Sequence, residues 1–139
     1  MATVTQTMRQ LQNPQLTSTL RDLCIQHEIA LLMLHGTCVT STTDAPRLDL
    51  AYLPTHQNID HLRVVTAFLA ILPTERLDVI ALNWDDPIAA HTAFENGRPL
   101  YENEPNLFTT LRHQAAIDYA HSHWLHDFTL PTRTPYWEA

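Results

Sequence analysis

The residues best placed to do chemistry lie between Glu28 and Pro54. This stretch opens with an apolar run, Ile29 to Leu34. His35 and Gly36-Thr37 follow, and after a polar interval comes Arg47-Leu48-Asp49. Side chains alternate across a strand, so Arg47, Asp49, Ala51 and Leu53 share one face, and Leu48, Leu50 and Tyr52 share the other. A guanidinium and a carboxylate therefore point together, toward whatever the polar interval encloses. A buried carboxylate needs a partner, and a guanidinium can bind two oxygens at once. Asp78, near the start of a later apolar segment (LDVIAL), is a further acid of interest. His35 reads as a site residue or as a satisfied strand-end histidine. Cys38 reads as a reactive thiol or as a small filler.

The elements that must position these residues can be read in order. Residues 1–12 are polar and read as a flexible N-terminus. Asn13-Pro14 is a helix start, with Asn as N-cap and Pro at the first helical position. Leu16, Leu20, Leu23 and Cys24 then keep helical spacing to about His27. Ile29 to Leu34 is continuously apolar over a strand's length, which suits a strand covered on both faces. Residues 36–46 read as loop and Arg47 to Leu53 as the next strand. Asn58 then caps a helix with Ile59, Leu62, Val65, Leu69 and Leu72 on its inner face. Leu77 to Leu82 is a third strand. Asp85-Asp86-Pro87 opens another helix, and Asn96-Gly97 closes it with a left-handed glycine. Arg98 to Tyr101 is a short extended or turn segment. A long helix runs from about Pro105 to Phe128. Phe108, Leu111, Ala115 and Tyr119 form one row on it, and Ala116, Ala120, Trp124 and Phe128 form the next. Helices alternating with strands predict an α/β or α+β sheet with helical cover. Residues 13–128 read as one domain and 129–139 as an irregular tail.

Composition narrows the function classes. The chain has 139 residues and a formal charge of -7, with eight Lys+Arg against fifteen Asp+Glu. Such an acidic chain is a poor candidate for gripping a nucleic-acid backbone, but it suits a basic protein partner. Two cysteines, Cys24 and Cys38, do not make a disulfide framework and read as reduced thiols in a cytoplasmic protein. Met1 to Gln12 lacks the apolar run of a signal peptide, and Ile29 to Leu34 is far too short to span a bilayer. Nine histidines invite a zinc reading. His121 and His123 do not face each other on a helix, whereas His123 and His126 do. A polar helix face is the plainer account.

Gly36-Thr37 after a buried strand, Leu48-Asp49-Leu50-Ala51 on the next and Leu77-Asp78-Val79 through Leu82-Asn83 resemble the minimal nucleotidyltransferases. These are small members of the DNA polymerase beta-like nucleotidyltransferase superfamily. Glu95-Asn96-Gly97-Arg98-Pro99-Leu100-Tyr101-Glu102 and the closing helix with Ala116-Ile117-Asp118-Tyr119 fit as well. The resemblance covers roughly residues 14–128. It implies a nucleotidyltransferase-like mixed sheet with helices packed on it and a long C-terminal helix. It also implies triphosphate contacts from Gly36 and Thr37, and divalent metal held by two strand acids and a third acid nearby. Those acids fall on Arg47, Asp49 and Asp78. Magnesium needs carboxylates, waters and phosphates, and a permanent cation at the first position repels it. The loop segment Cys38-Val39-Thr40-Ser41 has also lost basic character. The resemblance thus implies a degenerate member, with Arg47 blocking the site and standing in for the metal by pairing with Asp49 and Asp78.

Family members of this kind act as antitoxins beside HEPN-type ribonuclease toxins, and active ones transfer adenylyl groups from ATP. The expected function is neutralisation of a HEPN-type toxin by complex formation, with no direct contact to nucleic acid or membrane and no cofactor. The alternative is an active adenylyltransferase using Mg and ATP, with Asp49, Asp78 and Asp44 as acids. A further alternative is a homo-oligomeric or hetero-oligomeric accessory subunit. The wide apolar face of the last helix and the Tyr136-Trp137 tail are core or partner surface.

Overall fold

The computed structural model describes residues 3–40, 46–72, 74 and 76–129, without the side chains of 123–129. The described chain forms Val4–Gln10 (α1), Pro14–Gln26 (α2), Ile29–His35 (β1), Thr37–Thr40 (α3), Leu48–Pro54 (β2), His61–Ile71 (α4), Leu77–Ala81 (β3), Pro87–Glu95 (α5), Arg98–Glu102 (β4) and Leu107–Thr129 (α6). The sheet runs in the order β3-β2-β1-β4. β1 is antiparallel to both of its neighbours, while β2 and β3 are parallel. This is the mixed α/β sheet with a long last helix that the sequence implies.

Continuous hydrophobicity places β1 inside the sheet. Leu32 and Leu34 point to one side, where they meet Leu48, Leu50 and Tyr52 of β2, Leu20 and Leu23 of α2, and Val64 and Phe68 of α4. Leu31 and Met33 point to the other, where they meet Ala51, Ala93 and Phe94 of α5, and Phe108 and Ala115 of α6. Both faces are thus covered, as an unbroken apolar strand requires. The alternation expected for β2 holds, with Leu48, Leu50 and Tyr52 in one layer and Ala51 and Leu53 in the other.

Several local expectations are corrected. Residues 3–11 are not frayed. Thr3 and Gln6 form a capping box that starts α1, and Val4, Thr7 and Leu11 are buried. The segment at Arg98 takes the extended of its two expected forms, an edge strand, and Pro99 sits where an edge tolerates a missing N–H. The cap of α4 is Asp60, whose side chain accepts from Arg63 N at 3.4 Å, and not Asn58. The buried row of α4 is Val64-Phe68-Leu72; Leu62 is 73% exposed and Leu69 is exposed too. Tyr52 and His61 decide this orientation, sharing a 2.7 Å hydrogen bond from the sheet to the helix start. Gly97 does not adopt a left-handed conformation. It is needed for space, because a Cβ there would meet Ala93 O at 2.9 Å, Met33 Sδ at 3.1 Å and Phe108 Cε2 at 3.2 Å. On α6 the Phe108 and Ala115 row is buried, whereas Ala116 and Ala120 of the second row are exposed. Trp124, Phe128 and the Tyr136-Trp137 tail fall on side chains or residues outside those described.

Glu102 links the sheet to the last helix, its carboxylate accepting from Phe108 N at 2.8 Å. Arg112 Nη2 donates to Glu95 O at 3.1 Å and fixes α6 against the end of α5.

The revised face of α4 gives a direct test. Phe68→Ala, at a fully buried site, is expected to lower unfolding free energy by about 3–5 kcal/mol. Leu62→Ala is expected to change it by no more than about 0.5 kcal/mol. Urea unfolding of the two variants checks this, and equal losses would contradict the packing described.

Candidate functional site

Strand register assembles the site. His35 at the end of β1 lies opposite Asp49 on β2, and Asp49 lies opposite Asp78 on β3. Three titratable groups therefore form a row across three adjacent strands. Direct register partners share a face, so the row continues the layer that holds Met33, Ala51 and Ile80. Asp78, implied by the resemblance to join Asp49, is brought to it.

Gly36 follows β1 and makes the turn into α3 with φ +73, a conformation that suits glycine. A Cβ at this position would also stand 2.5 Å from Asp49 Oδ2. Glycine is needed here twice, for the turn and for room beside the carboxylate. The Thr37 side chain is exposed at the start of the short helix.

Asp49 is only 2% exposed. Arg47 Nε stands 2.8 Å from its Oδ1, and the arginine side chain is itself 60% exposed. The contact is an ion pair that lacks hydrogen-bond alignment, since Oδ1 accepts no aligned hydrogen bond. Burial pushes the Asp49 carboxyl above its ordinary value, and the Arg47 charge opposes that shift. Burial likewise lowers His35, opposed chiefly by the Asp49 charge; its Nε2 is buried without a hydrogen-bond partner. The expected pairing of Arg47 holds for Asp49. Among the described residues, no ion pair within 4.0 Å joins Arg47 to Asp78.

A cavity of about 490 Å³ opens beside this row. Thr37, Arg47, Leu69, Arg76, Leu77 and Asp78 are among its lining residues. Arg76 was not among the expected site residues, yet a signal for it exists. The triplet Arg-Leu-Asp occurs twice, at 47–49 and at 76–78. The two copies lie in parallel register, with Leu48 opposite Leu77, and Leu48 N donates to Arg76 O at 2.8 Å. Leu48 is buried in the hydrophobic layer and Leu77 packs against it, while Leu77 also lines the cavity with Arg47, Arg76 and Asp78.

Other expected site residues resolve more simply. Cys38 is buried, its Sγ donates to His35 O at 3.1 Å, and burial raises its pKa. A raised, enclosed thiol is a filler and not a nucleophile. Burial drives the Cys24 thiol further, to about 12. Asp44 lies outside the described residues, as do the side chains of His123 and His126. Among the described residues, no group of three or more His, Cys, Asp or Glu is placed to hold a metal. Among the described residues the donor set does not fit a divalent ion, because only Asp49 and Asp78 converge there and a guanidinium already stands on Asp49 Oδ1. No helix among them is long and apolar enough to cross a membrane.

No protein-family model matches the chain, and no curated protein matches it. Solved structures do. A chain of a toxin–antitoxin complex with AMP-PNP superimposes with a TM-score of 0.64 at 15% identity, over 80% of this chain and 92% of that one. A chain of an MntA–HepT toxin–antitoxin complex gives 0.60 at 14% identity, over 81% and 92%. A chain from the complex of a tri-AMPylated Shewanella oneidensis HEPN toxin with its MNT antitoxin gives 0.61 at 14% identity, over 81% and 91%. The chain has the minimal nucleotidyltransferase fold.

The raised Asp49 pKa has a signed consequence. A carboxyl whose folded pKa exceeds its unfolded value contributes stability that is complete below the unfolded value, about 3.9, and lost as pH rises through the folded one. Asp49→Asn cannot titrate. Its stability relative to the natural chain is expected to increase between about pH 4 and pH 7. Urea unfolding of both proteins across that range checks this. A relative stability that falls with pH would show that the Arg47 charge outweighs burial.

Proposed function

We propose that this chain is an antitoxin of the minimal nucleotidyltransferase fold that neutralises a HEPN-type ribonuclease toxin by forming a complex with it, its metal and ATP site being eroded. The observation that carries this reading is the Arg47 guanidinium 2.8 Å from Asp49 Oδ1. It puts a permanent cation at the strand position where the nucleotidyltransferase reaction uses a metal-binding carboxylate. The fold shared with chains of MntA–HepT complexes supports a HEPN-type partner. The net charge of -7 supports docking on a protein whose own substrate is RNA. Capture of the toxin, and not chemistry on it, is then the means of neutralisation. The setting is the cytoplasm, where such a toxin meets RNA.

A second reading has one observation in its favour. Asp49 and Asp78 lie directly opposite each other, so two of the three acids of an active site are retained in register. In that reading the chain is an adenylyltransferase that modifies its toxin with Mg and ATP, bound at Gly36 and Thr37, as the AMP-PNP and tri-AMPylated complexes of the same fold suggest.

Co-expression with a HEPN-type toxin separates the readings. The expected result is rescue of growth and co-purification, without transfer of label from ATP to the partner. Arg47→Asp is expected to raise magnesium affinity by on the order of tenfold, measured by calorimetry, because it replaces a repelling cation with a ligand. Label transfer by the natural chain, abolished by Asp49→Ala, would establish the enzyme instead. A chain that captures no partner would leave the accessory-subunit reading.

A further inference from the structure

Each side of the sheet presents a helix surface with large apolar side chains in water. On one side Leu62 and Leu69 of α4 are exposed. On the other, Ile88 of α5 is 61% exposed and Ile117 of α6 is 47% exposed. Helical spacing accounts for the second surface. Ala90, Ala93 and Phe94 of α5 turn inward, so Ile88, Thr92 and Glu95, spaced i, i+4 and i+7, are left outside. On α6, Phe108 and Ala115 are buried, and Ala116, Ile117 and Ala120 are exposed. The two helices are tied to each other. His91 of α5 stacks on Tyr119 of α6 with ring centroids 4.2 Å apart, and Arg112 Nη2 holds Glu95 O. Docking on such a surface has little left to order.

Charge distinguishes the two surfaces. The stretch Asp85–Glu95 and α6 contain Asp85, Asp86, Glu95, Asp118 and Asp127 against a single arginine, Arg112, and no lysine. On the opposite side α1, α2, α4 and their flanks balance, with Arg9, Arg21 and Arg63 against Asp22, Glu28 and Asp60. Much of the net charge of -7 therefore belongs to the α5–α6 side. We infer that the α5–α6 face, anchored by Ile88 and Ile117, is the surface that docks on the toxin, and that it covers the basic surface with which the toxin grips RNA. The inference rests on the antitoxin reading and adds to it the place of contact and the means of neutralisation. A protein that binds RNA does so with arginine and lysine. Apolar anchors flanked by exposed carboxylates complement such a surface. The isoleucines supply a centre that excludes water, and Asp85 and Glu95, on either side of Ile88 along the chain, steer the approach. The α4 face offers leucines without a charge bias and has no such match. RNA and this chain then compete for one surface, and the toxin is silenced by occlusion.

The test measures binding of the full chain to a purified HEPN-type toxin by biolayer interferometry. Ile88→Arg is expected to weaken binding by about tenfold or more. Asp85→Asn combined with Glu95→Gln is expected to weaken it by about fivefold and to flatten its dependence on salt. Leu62→Arg, on α4, is expected to change it by less than about twofold. All four residues are exposed; unchanged urea unfolding confirms that each variant is folded. A short single-stranded RNA is expected to displace the natural chain from a catalytically inactive toxin. Binding that is indifferent to Ile88→Arg and to the neutralised carboxylates, a loss caused by Leu62→Arg in their place, or a ternary complex of toxin, chain and RNA would each overturn the inference and leave the antitoxin reading standing. Sedimentation of the chain alone tests a different occupant. A dimer that Ile88→Arg dissociates would give this face to a second copy and overturn the inference as well. A natural chain that binds no toxin refutes both readings.

Discussion

The burial of Asp49 is the constraint around which this end of the molecule is arranged. A carboxylate that is 2% exposed loses most of its hydration, and something must replace it. Arg47 supplies charge at 2.8 Å. Gly36 supplies space, since any side chain there would run into Oδ2. His35 supplies a ring whose pKa burial lowers, against the Asp49 charge. These supports come from the end of β1, the turn after it and the start of β2. The strand register that pairs His35 with Asp49 is therefore what completes the environment. Breaking a fully buried ion pair costs about 3–5 kcal/mol, but Arg47 is 60% exposed, and water screening keeps this pair well below that figure. The pair does not suffice to hold Asp49 at an ordinary pKa.

That register depends in turn on β1 having no polar face. Leu32 and Leu34 are buried against α2 and α4, and Leu31 and Met33 against α5 and α6. A slip of one residue would exchange the two layers and carry His35 to the opposite side of the sheet from Asp49. Packing on both faces fixes the pairing, and the pairing brings the charged groups together.

How much of this is legible in the sequence depends on the range of the forces involved. The apolar run of β1 and the alternation in β2 are local signals, and they give both strands and the shared face of Arg47 and Asp49. The place of Asp78 follows from family resemblance, because no local rule says which strands will be neighbours. The inner face of α4 is hard to read because Val64, Val65, Ala67, Phe68, Leu69, Ala70 and Ile71 wrap apolar surface around much of the helix. Choosing among its faces takes the Tyr52–His61 hydrogen bond, a contact with the sheet. The need for a glycine at 97 comes from Met33 and Phe108, which are distant in sequence. Two further features are local in the sequence. Thr3 and Gln6 have the spacing of a capping box. The second Arg-Leu-Asp triplet repeats the first residue for residue.

The two triplets also show how position overrides composition. The same three residues stand on adjacent parallel strands in matched register. β2 lies inside the sheet, flanked by β1 and β3, so its aspartate is buried and takes hold of its own arginine. β3 is an edge, so its aspartate stays in water and needs no such partner. Arg76 therefore remains available where Arg47 is committed. An acid pair this close would repel strongly if both members were buried. Exposure of Asp78 limits that repulsion, and its charge is only a minor influence among those acting on Asp49, behind burial, Arg47 and His35. A divalent ion is the usual remedy when two carboxylates converge. In this chain one carboxylate is met by a guanidinium and the other by solvent.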